Sequence, residues 1–134
     1  KEIRSAYVEA IEGLGELLEA IKKAAEQGSI RSIDGRQIAV DSPHKALNYL
    51  LQSGAGVIAK RWMVINQDHI KELKLCCSQL AFVHDELQFE VEPKHVEDLR
   101  SSLVLSSIEA GEYYNLRIKI ESEAVEGNNW SNTH

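Results

Sequence analysis

The stretch from Leu80 to Glu92 restricts the possible folds more than any other part of the sequence. It opens with an unbroken apolar run, Leu80 to Val83, and then alternates apolar Leu87, Phe89 and Val91 with polar residues. A continuous apolar run predicts a strand that is buried on both faces, and alternation predicts a strand with one buried face. The stretch therefore predicts two strands that meet at a tight turn.

Three polar residues, His84, Asp85 and Glu86, lie between these predicted strands. Such groups gain nothing from an apolar core, and their charges are costly to bury without a partner. A divalent cation such as Mg²⁺ would explain them, because it binds carboxylate oxygens and leaves places for water and substrate phosphates. An idle, solvated acidic turn is the alternative, since charged turns are common.

The composition is that of one globular domain with a substantial core. The chain has 134 residues, of which 43% are hydrophobic and 27% charged. There is no apolar run of about 18 residues and no signal-peptide pattern, which predicts a cytoplasmic protein without a membrane partner. The adjacent Cys76 and Cys77 would strain a disulfide and are predicted to be reduced thiols.

The charge and the ends of the chain suggest a part of something larger. A net charge of −6 argues against a free-standing nucleic-acid binder, which normally presents a basic patch. The chain opens with Lys1 and its only methionine is Met63, so we expect a piece of a longer protein.

The first half of the chain predicts a helix, a hairpin and a longer helix. Apolar residues recur at helical spacing over residues 3–25, with Gly28 as a helix end and a possible break at Gly13 and Gly15. Asp34-Gly35 between short alternating runs predicts a tight hairpin. Ser42 and Pro43 then predict the N-cap and first position of a helix that reaches about Leu75. Its predicted apolar face contains Leu47, Leu51, Ala55, Ile58 and Trp62.

A polar row lies beside that apolar face. His44, Asn48 and Gln52 follow one another at intervals of four residues, which places them on one side of the helix. Solvated surface positions are one explanation. The other is contact with the DNA minor groove, where every base pair offers similar acceptors to an amide donor.

The second half predicts a further helix and a further strand. Pro93 would open a helix with Val96, Leu99, Leu103, Val104 and Ile108 toward the core, and residues 116–120 alternate as a strand that could join the same sheet. The predicted fold class is α+β: an antiparallel sheet with a catalytic β-hairpin, packed against long helices.

Several segments together resemble DNA polymerases of family A, the DNA polymerase I-like enzymes. Val83 to Leu87 resembles their third conserved palm motif, and Asp34-Gly35-Arg36, Ser42-Pro43-His44, Asn48 and Leu51-Gln52-Ser53 resemble the approach to their long palm helix. Within the family, these segments are closest in style to the replicative polymerases of short-tailed phages. Gly127-x-Asn-Trp followed by a final His resembles the end of these enzymes, with Trp130 as an apolar anchor and His134 near the active site. The likeness runs from about Ile11 to His134.

This resemblance implies that residues 1–134 are a single C-terminal palm fragment of a larger polymerase. Residues 1–28 would form a helix next to the fingers. It implies template-directed nucleotide addition with two Mg²⁺ ions and Asp85 as catalytic residue and metal ligand. Of the other two catalytic-site residues, it implies Glu86 as a neighbouring acid that assists or orients, and His84 as a structural residue that bonds to the backbone or the primer side. It further implies Asn48, Gln52, His44 and Arg36 as DNA-binding residues, although His44 stands where many cellular members carry Arg. The implied partners are primer-template DNA, deoxynucleoside triphosphates and the remainder of the polymerase chain. The implied location is the bacterial cytoplasm, or that of the host for a phage protein.

The fragment is expected to be inactive alone, because the second aspartate and the fingers helix of the family lie upstream. It is also expected to self-associate through exposed sheet edges and apolar surface. Two other interpretations remain open at this stage. One is a noncatalytic remnant of a polymerase that binds DNA or assembles with a partner, and the other is an unrelated metal-dependent hydrolase that uses His84, Asp85 and Glu86.

Overall fold

The computed structural model describes residues 2–133 and confirms an α+β fold. This part of the chain contains four α-helices and two separate two-stranded antiparallel sheets. The elements in chain order are α1 (Glu2–Ala10), α2 (Leu14–Ala25), β1 (Ser29–Arg31), β2 (Gln37–Ala39), a 3₁₀ turn (Pro43–Lys45), α3 (Ala46–Leu73), β3 (Cys77–Val83), β4 (Glu86–Val91), a second 3₁₀ turn (Pro93–His95), α4 (Val96–Tyr113) and a third (Trp130–Asn132). None of the described helices has the length and apolar character that a membrane span requires.

The first compact unit, Lys1–Gly56, contains α1, α2, the β1–β2 hairpin and the start of α3. The predicted break in the first helix is confirmed: Gly13 has a φ of 80° between α1 and α2. Ile21 and Ala25 of α2 are buried with Ile30 of β1 and Ala46 of α3. Burial of these side chains removes apolar surface from water and stabilises the unit.

The β1–β2 hairpin has a wider loop than Asp34-Gly35 predicted. Ile30 pairs with Ile38, and the loop is closed where the Ser32 N–H donates to the Arg36 carbonyl at 2.8 Å. Within this described loop, Gly35 has a positive φ of 86° and Asp34 does not. A two-residue type I′ turn needs positive φ at both central residues, so the predicted hairpin is confirmed but its turn is not of this type.

The start of α3 also differs from the prediction. Ser42 has an extended backbone, and its side chain makes no capping hydrogen bond with a described residue. The Lys45 N–H instead bonds the Ser42 carbonyl at 3.0 Å, which closes a 3₁₀ turn before the α-helix begins at Ala46. Leu51, assigned to the apolar face, is 59% exposed, and the helix ends at Leu73 because Lys74 turns into the left-handed region.

The second compact unit, Val57–His134, contains the β3–β4 hairpin. Its base packs well: Cys77, Phe89 and Val91 contact a buried cluster of Ile70, Leu75 and Leu99. Toward the turn the strands project beyond this cluster, and Leu80 is 63% exposed at a β-bulge between Gln79 and Ala81. The prediction that residues 80–83 are buried on both faces is therefore wrong for this chain, because its sheet has two strands in the described residues.

Helix α4 buries serines as well as apolar residues. Leu99 is buried as predicted, but so are Ser102, Ser106 and Ser107, whereas the other predicted core positions are only half-buried. The Ser102 hydroxyl donates to Oδ1 of the buried Asn66 at 2.8 Å. Buried polar groups are tolerated when they are hydrogen-bonded in this way.

Residues 116–120 form no strand in the described structure, so that prediction was wrong. The segment lies on α4 instead of beside a strand. Ser107 donates to the Ile120 carbonyl at 3.3 Å, and Ser122 and Ser107 hydroxyls are 2.9 Å apart. Side-chain hydrogen bonds from the helix thus replace a sheet ladder. Gly111 makes this contact possible, since a Cβ there would lie 2.9 Å from Cγ1 of Ile120.

The tail ends in a 3₁₀ turn, Trp130–Asn132. Trp130 is 49% exposed, and it has an interaction with another group in the structure. Its role as an apolar anchor of the tail stays a prediction. The expectation that His134 lies near the active site falls outside the described residues.

Candidate metal-ligand turn and DNA-facing helix

The candidate metal-ligand turn joins β3 to β4 and consists of two residues. Val83 pairs with Glu86, which leaves His84 and Asp85 as the loop. His84 has a φ of 56°, a left-handed conformation that an L-residue adopts at a cost when the turn requires it. Glu86 is thus the first residue of β4 and does not belong to the turn itself.

The three predicted catalytic residues have different surroundings. Asp85 is exposed and makes no hydrogen bond or ion pair with any residue from 2 to 133. His84 is exposed as well. Glu86 is half-buried, and its Oε1 accepts a hydrogen bond from Nε2 of Gln88. Asp85 therefore offers both carboxylate oxygens to an external ligand, whereas Glu86 is engaged within the protein.

These residues fit part of a divalent-cation site. A carboxylate without a protein partner is the ligand type that Mg²⁺ prefers, and Mg²⁺ usually takes one or two of them from the protein. Among the described residues there is no cluster of three or more His, Cys, Asp or Glu side chains that could hold a metal. The turn would contribute one ligand, Asp85, to a site completed by other groups.

The predicted DNA-binding row lies in the first compact unit. His44 is in the 3₁₀ turn and Asn48 and Gln52 are in α3, and all three side chains are exposed. None of them has a hydrogen bond to another side chain in the described part of the chain. Their donors are therefore free to contact a ligand. Asp85 belongs to the second compact unit.

Arg36, the fourth predicted DNA-binding residue, is held by an acid. Its Nε donates to Oδ2 of Asp34 at 2.5 Å, and the guanidinium is exposed. A surface pair of this kind contributes little to stability. Arg36 could contact a phosphate only by exchanging one anion for another.

A further cluster, which the sequence interpretation missed, surrounds Asp41. Lys45 Nζ lies 3.0 Å from Oδ2 of Asp41, and the Tyr49 hydroxyl donates to Oδ1 at 2.9 Å. The hydrogen bond from Lys45, followed by that from Tyr49, lowers the pKa of Asp41. The spacing of four residues between Asp41, Lys45 and Tyr49 is the pattern that could have revealed the cluster.

Comparison with known proteins identifies the family of this chain. The family model for DNA polymerase family A matches residues 1–132. A DNA-directed DNA polymerase of Escherichia phage Phieco32 is 34% identical over 125 residues, covering 88% of this chain and 20% of that protein. A DNA-directed DNA polymerase of Enterobacteria phage T3 is 28% identical over an alignment of 159 residues, covering the whole chain and 22% of the relative.

A solved structure agrees as well. It is described as the POL domain of Pol1 from M. smegmatis in complex with DNA primer-template and dNTP, and it has 26% sequence identity to this chain. Its TM-score is 0.75, with 86% of this chain and 22% of that chain covered.

The fold and the sequence thus define a polymerase-domain segment. The chain belongs to DNA polymerase family A, as the resemblance predicted, and spans about a fifth of the length of these relatives. The hydrolase interpretation is thereby wrong.

Proposed function

We propose that the protein containing this chain is a DNA-directed DNA polymerase, which adds deoxynucleotides to a primer 3′ hydroxyl under the direction of a template. Membership of family A and the phage relatives support this activity. The neighbouring M. smegmatis complex with primer-template and dNTP supports the same two ligands. The enzyme would act in the cytoplasm of a bacterium or of a phage host.

Asp85 is the proposed metal ligand of this chain. Polymerases use divalent metal ions, and two bound Mg²⁺ ions would stabilise charge on the attacking and leaving oxygens. Asp85 offers a free carboxylate on a two-residue turn, whose strands keep it in place. His84 shapes the turn through its left-handed backbone, and Glu86, bonded to Gln88, orients the start of β4.

Asn48, Gln52 and His44 are the proposed minor-groove residues. A polymerase must test base-pair shape without reading sequence, and the minor groove presents acceptors at nearly the same place for every pair. The exposed amides of Asn48 and Gln52 stand on a rigid helix and supply donors for these acceptors. Arg36 would hold a backbone phosphate after it leaves Asp34.

The 134-residue chain is proposed to be inactive alone. One carboxylate ligand cannot hold two ions against a triphosphate, and the described residues contain no cluster that would complete the site. The remainder of the polymerase chain would supply the other ligand and the grip on the nucleotide.

The observation that carries this proposal is the unpartnered carboxylate of Asp85 in a chain of this family. The test is primer extension by the full-length parent, comparing wild type, Asp85→Asn and Glu90→Gln. Glu90 is a matched control, because it is an exposed acid on β4 of the same hairpin. We expect Asp85→Asn to lower kcat by at least about 10²-fold, since removing a preorganised electrostatic group costs this much. Glu90→Gln should extend primers normally.

DNA binding is measured alongside extension in these variants. Loss of extension with retained binding in Asp85→Asn alone supports the metal-ligand role. Normal extension by Asp85→Asn would contradict it, and the turn would then be an ordinary solvated loop. A wild-type parent that binds DNA and extends no primer would favour the noncatalytic remnant.

A further inference from the structure

The cluster around Asp41 joins two donors on one carboxylate. Lys45 approaches one oxygen and Tyr49 the other, at 3.0 Å and 2.9 Å. The Tyr49 ring packs against the buried cluster of the first unit, so its hydroxyl is held in position, whereas Lys45 is exposed. The ammonium and the hydroxyl thus converge on two oxygens of a single anion. A phosphate group presents oxygens that accept the same kinds of charge-assisted hydrogen bond.

The cluster lies next to the proposed DNA-facing row. Lys45 follows His44 in the 3₁₀ turn, and Tyr49 follows Asn48 in α3, where successive residues are rotated by about 100° around the helix axis. The minor groove is only about 6 Å wide and is bordered by two sugar-phosphate backbones. If His44, Asn48 and Gln52 point to the floor of the groove, Lys45 and Tyr49 point toward one of these backbones.

We propose that Lys45 and Tyr49 form a binding site for a DNA backbone phosphate, and that Asp41 occupies this site in the free protein. This inference rests on the proposed contact between α3 and primer-template DNA. Asp41 and the phosphate compete for the same two donors, so Asp41 lowers the affinity for DNA. The carboxylate also keeps the Lys45 ammonium paired while the enzyme moves from one phosphate to the next.

The test is DNA binding by the full-length parent as a function of salt concentration, with a primer-template duplex as the probe. In Asp41→Asn, Lys45 is free to displace a counterion from a phosphate. Because the wild-type complex makes the same phosphate contact once Asp41 has been displaced, we expect the slope of log K against log salt to stay the same and only the affinity to rise. Affinity at 50 mM salt should rise roughly three- to tenfold. Asp41→Asn with Lys45→Gln lacks this contact, so it should lose the gain in affinity and have a slope shallower by about 0.9 than that of Asp41→Asn.

The matched control is Asp68→Asn, which removes the same charge from a position within α3, away from Lys45 and Tyr49. Asp68 is exposed and lies 3.8 Å from Lys71, and both residues are near the far end of α3. If Asp68→Asn raises affinity as much as Asp41→Asn, the effect is one of net charge and the inference is wrong. It is also wrong if Asp41→Asn binds like wild type, or if the double variant keeps the gain. Misfolding cannot imitate the expected result, because that result is tighter binding.

Asn48→Ala and Gln52→Ala separate this inference from the proposed function of α3. If these variants bind primer-template like wild type, the row is not a DNA surface and that function is wrong. If they weaken binding while Asp41→Asn has no effect, only the phosphate site is wrong. Weaker binding by the row variants together with tighter binding by Asp41→Asn supports both.

Discussion

Asp85 differs from several acids of this chain in having no protein partner. Asp34, Asp41 and Glu92 each lie within 3.0 Å of a cationic nitrogen, whereas the Asp85 carboxylate has no such contact among the described residues. An acid already paired would have to lose that pair before it bound a metal. The free carboxylate on a short turn is therefore the feature of this chain best suited to metal binding.

The Cys76 thiol gives a residue-level prediction about pH. A hydrogen bond to Glu92, together with the negative charge of that carboxylate, raises the pKa of Cys76. Glu92→Gln removes this charge and leaves Lys94 nearby, so the pKa should fall and the thiolate fraction at pH 8 should increase. Because the thiolate is the reactive form, we expect faster alkylation of Cys76 by iodoacetamide, followed by mass spectrometry.

Cys77 is the internal reference for that experiment. Burial raises the pKa of Cys77, and Glu92→Gln does not alter its burial, so its alkylation rate should stay unchanged. Glu90→Gln, the same change of charge two residues earlier and within β4, should leave alkylation of Cys76 slow. Equal acceleration of both thiols in Glu92→Gln would point to loosening of the hairpin and would contradict the electrostatic explanation.

The position of Asp85 in a tight turn could be predicted from sequence. The apolar run on one side and the alternating run on the other both predict strands, so the few residues between them must form a short turn. The partners of the charged residues could not be predicted. The bond between Asp34 and Arg36 depends on a loop whose backbone differs from the predicted type, and the cluster of Asp41, Lys45 and Tyr49 depends on where the 3₁₀ turn gives way to α3.

At the level of elements, two helical glycines give opposite predictions. A Cβ on Gly111 in α4 would lie 2.9 Å from Cγ1 and 3.4 Å from Cβ of Ile120. Gly111→Ala should therefore lose about 1–3 kcal/mol through overpacking, against about 1 kcal/mol gained in helix propensity. We expect a net decrease in the free energy of unfolding, measured by urea denaturation of the 134-residue chain.

Gly56→Ala in α3 is the matched change for that experiment. Apart from its chain neighbours and the backbone of its own helix, no atom lies within 4 Å of the position where its Cβ would be, so only the propensity gain remains. This variant should be more stable by up to about 1 kcal/mol. If Gly111→Ala were stabilised to the same extent, the contact between α4 and residues 116–120 would not exist in solution.

The helices and the first strand pair were predictable because hydrophobic spacing and glycine positions are local properties. The structure of residues 116–120 could not be predicted in this way. Their alternation indicates one apolar side, but it does not indicate whether a strand or a helix covers that side. Here the segment packs on α4, because Ser107 bonds to the Ile120 carbonyl and Gly111 leaves space for the Ile120 side chain. Buried serines leave no hydrophobic pattern in the sequence, so this contact could not be foreseen.

At the level of the whole molecule, the chain exposes apolar surface near the tip of the β3–β4 hairpin. Leu80 is 63% exposed, and Phe82 and Val83 beside the candidate metal-ligand turn are exposed too. The chain spans 20% and 22% of the phage relatives. An uncovered two-stranded sheet with apolar side chains favours association between copies.

Self-association of the isolated chain is therefore expected, and Leu80→Lys should reduce it. A lysine on an exposed strand adds charge repulsion and removes the apolar contact. Multi-angle light scattering should give a lower average mass for Leu80→Lys than for wild type. Ser78→Lys is the control, because it adds the same charge at an exposed position of β3 that offers no apolar contact. A wild-type chain that remains a monomer at all concentrations would contradict the prediction.

In a mutational screen, two separate requirements limit which residues are tolerated at position 84, one on the backbone and one on the side chain. The positive φ of His84 is a demand on the backbone, which Gly and Asn meet and β-branched residues do not. Any role of the imidazole is a demand on chemistry. A loss of activity in His84→Val would mix the two, whereas His84→Asn and His84→Gly keep the shape of the turn and remove the imidazole. The pattern of tolerated residues, more than the loss in any one variant, distinguishes a residue retained for its ring from one retained for its backbone.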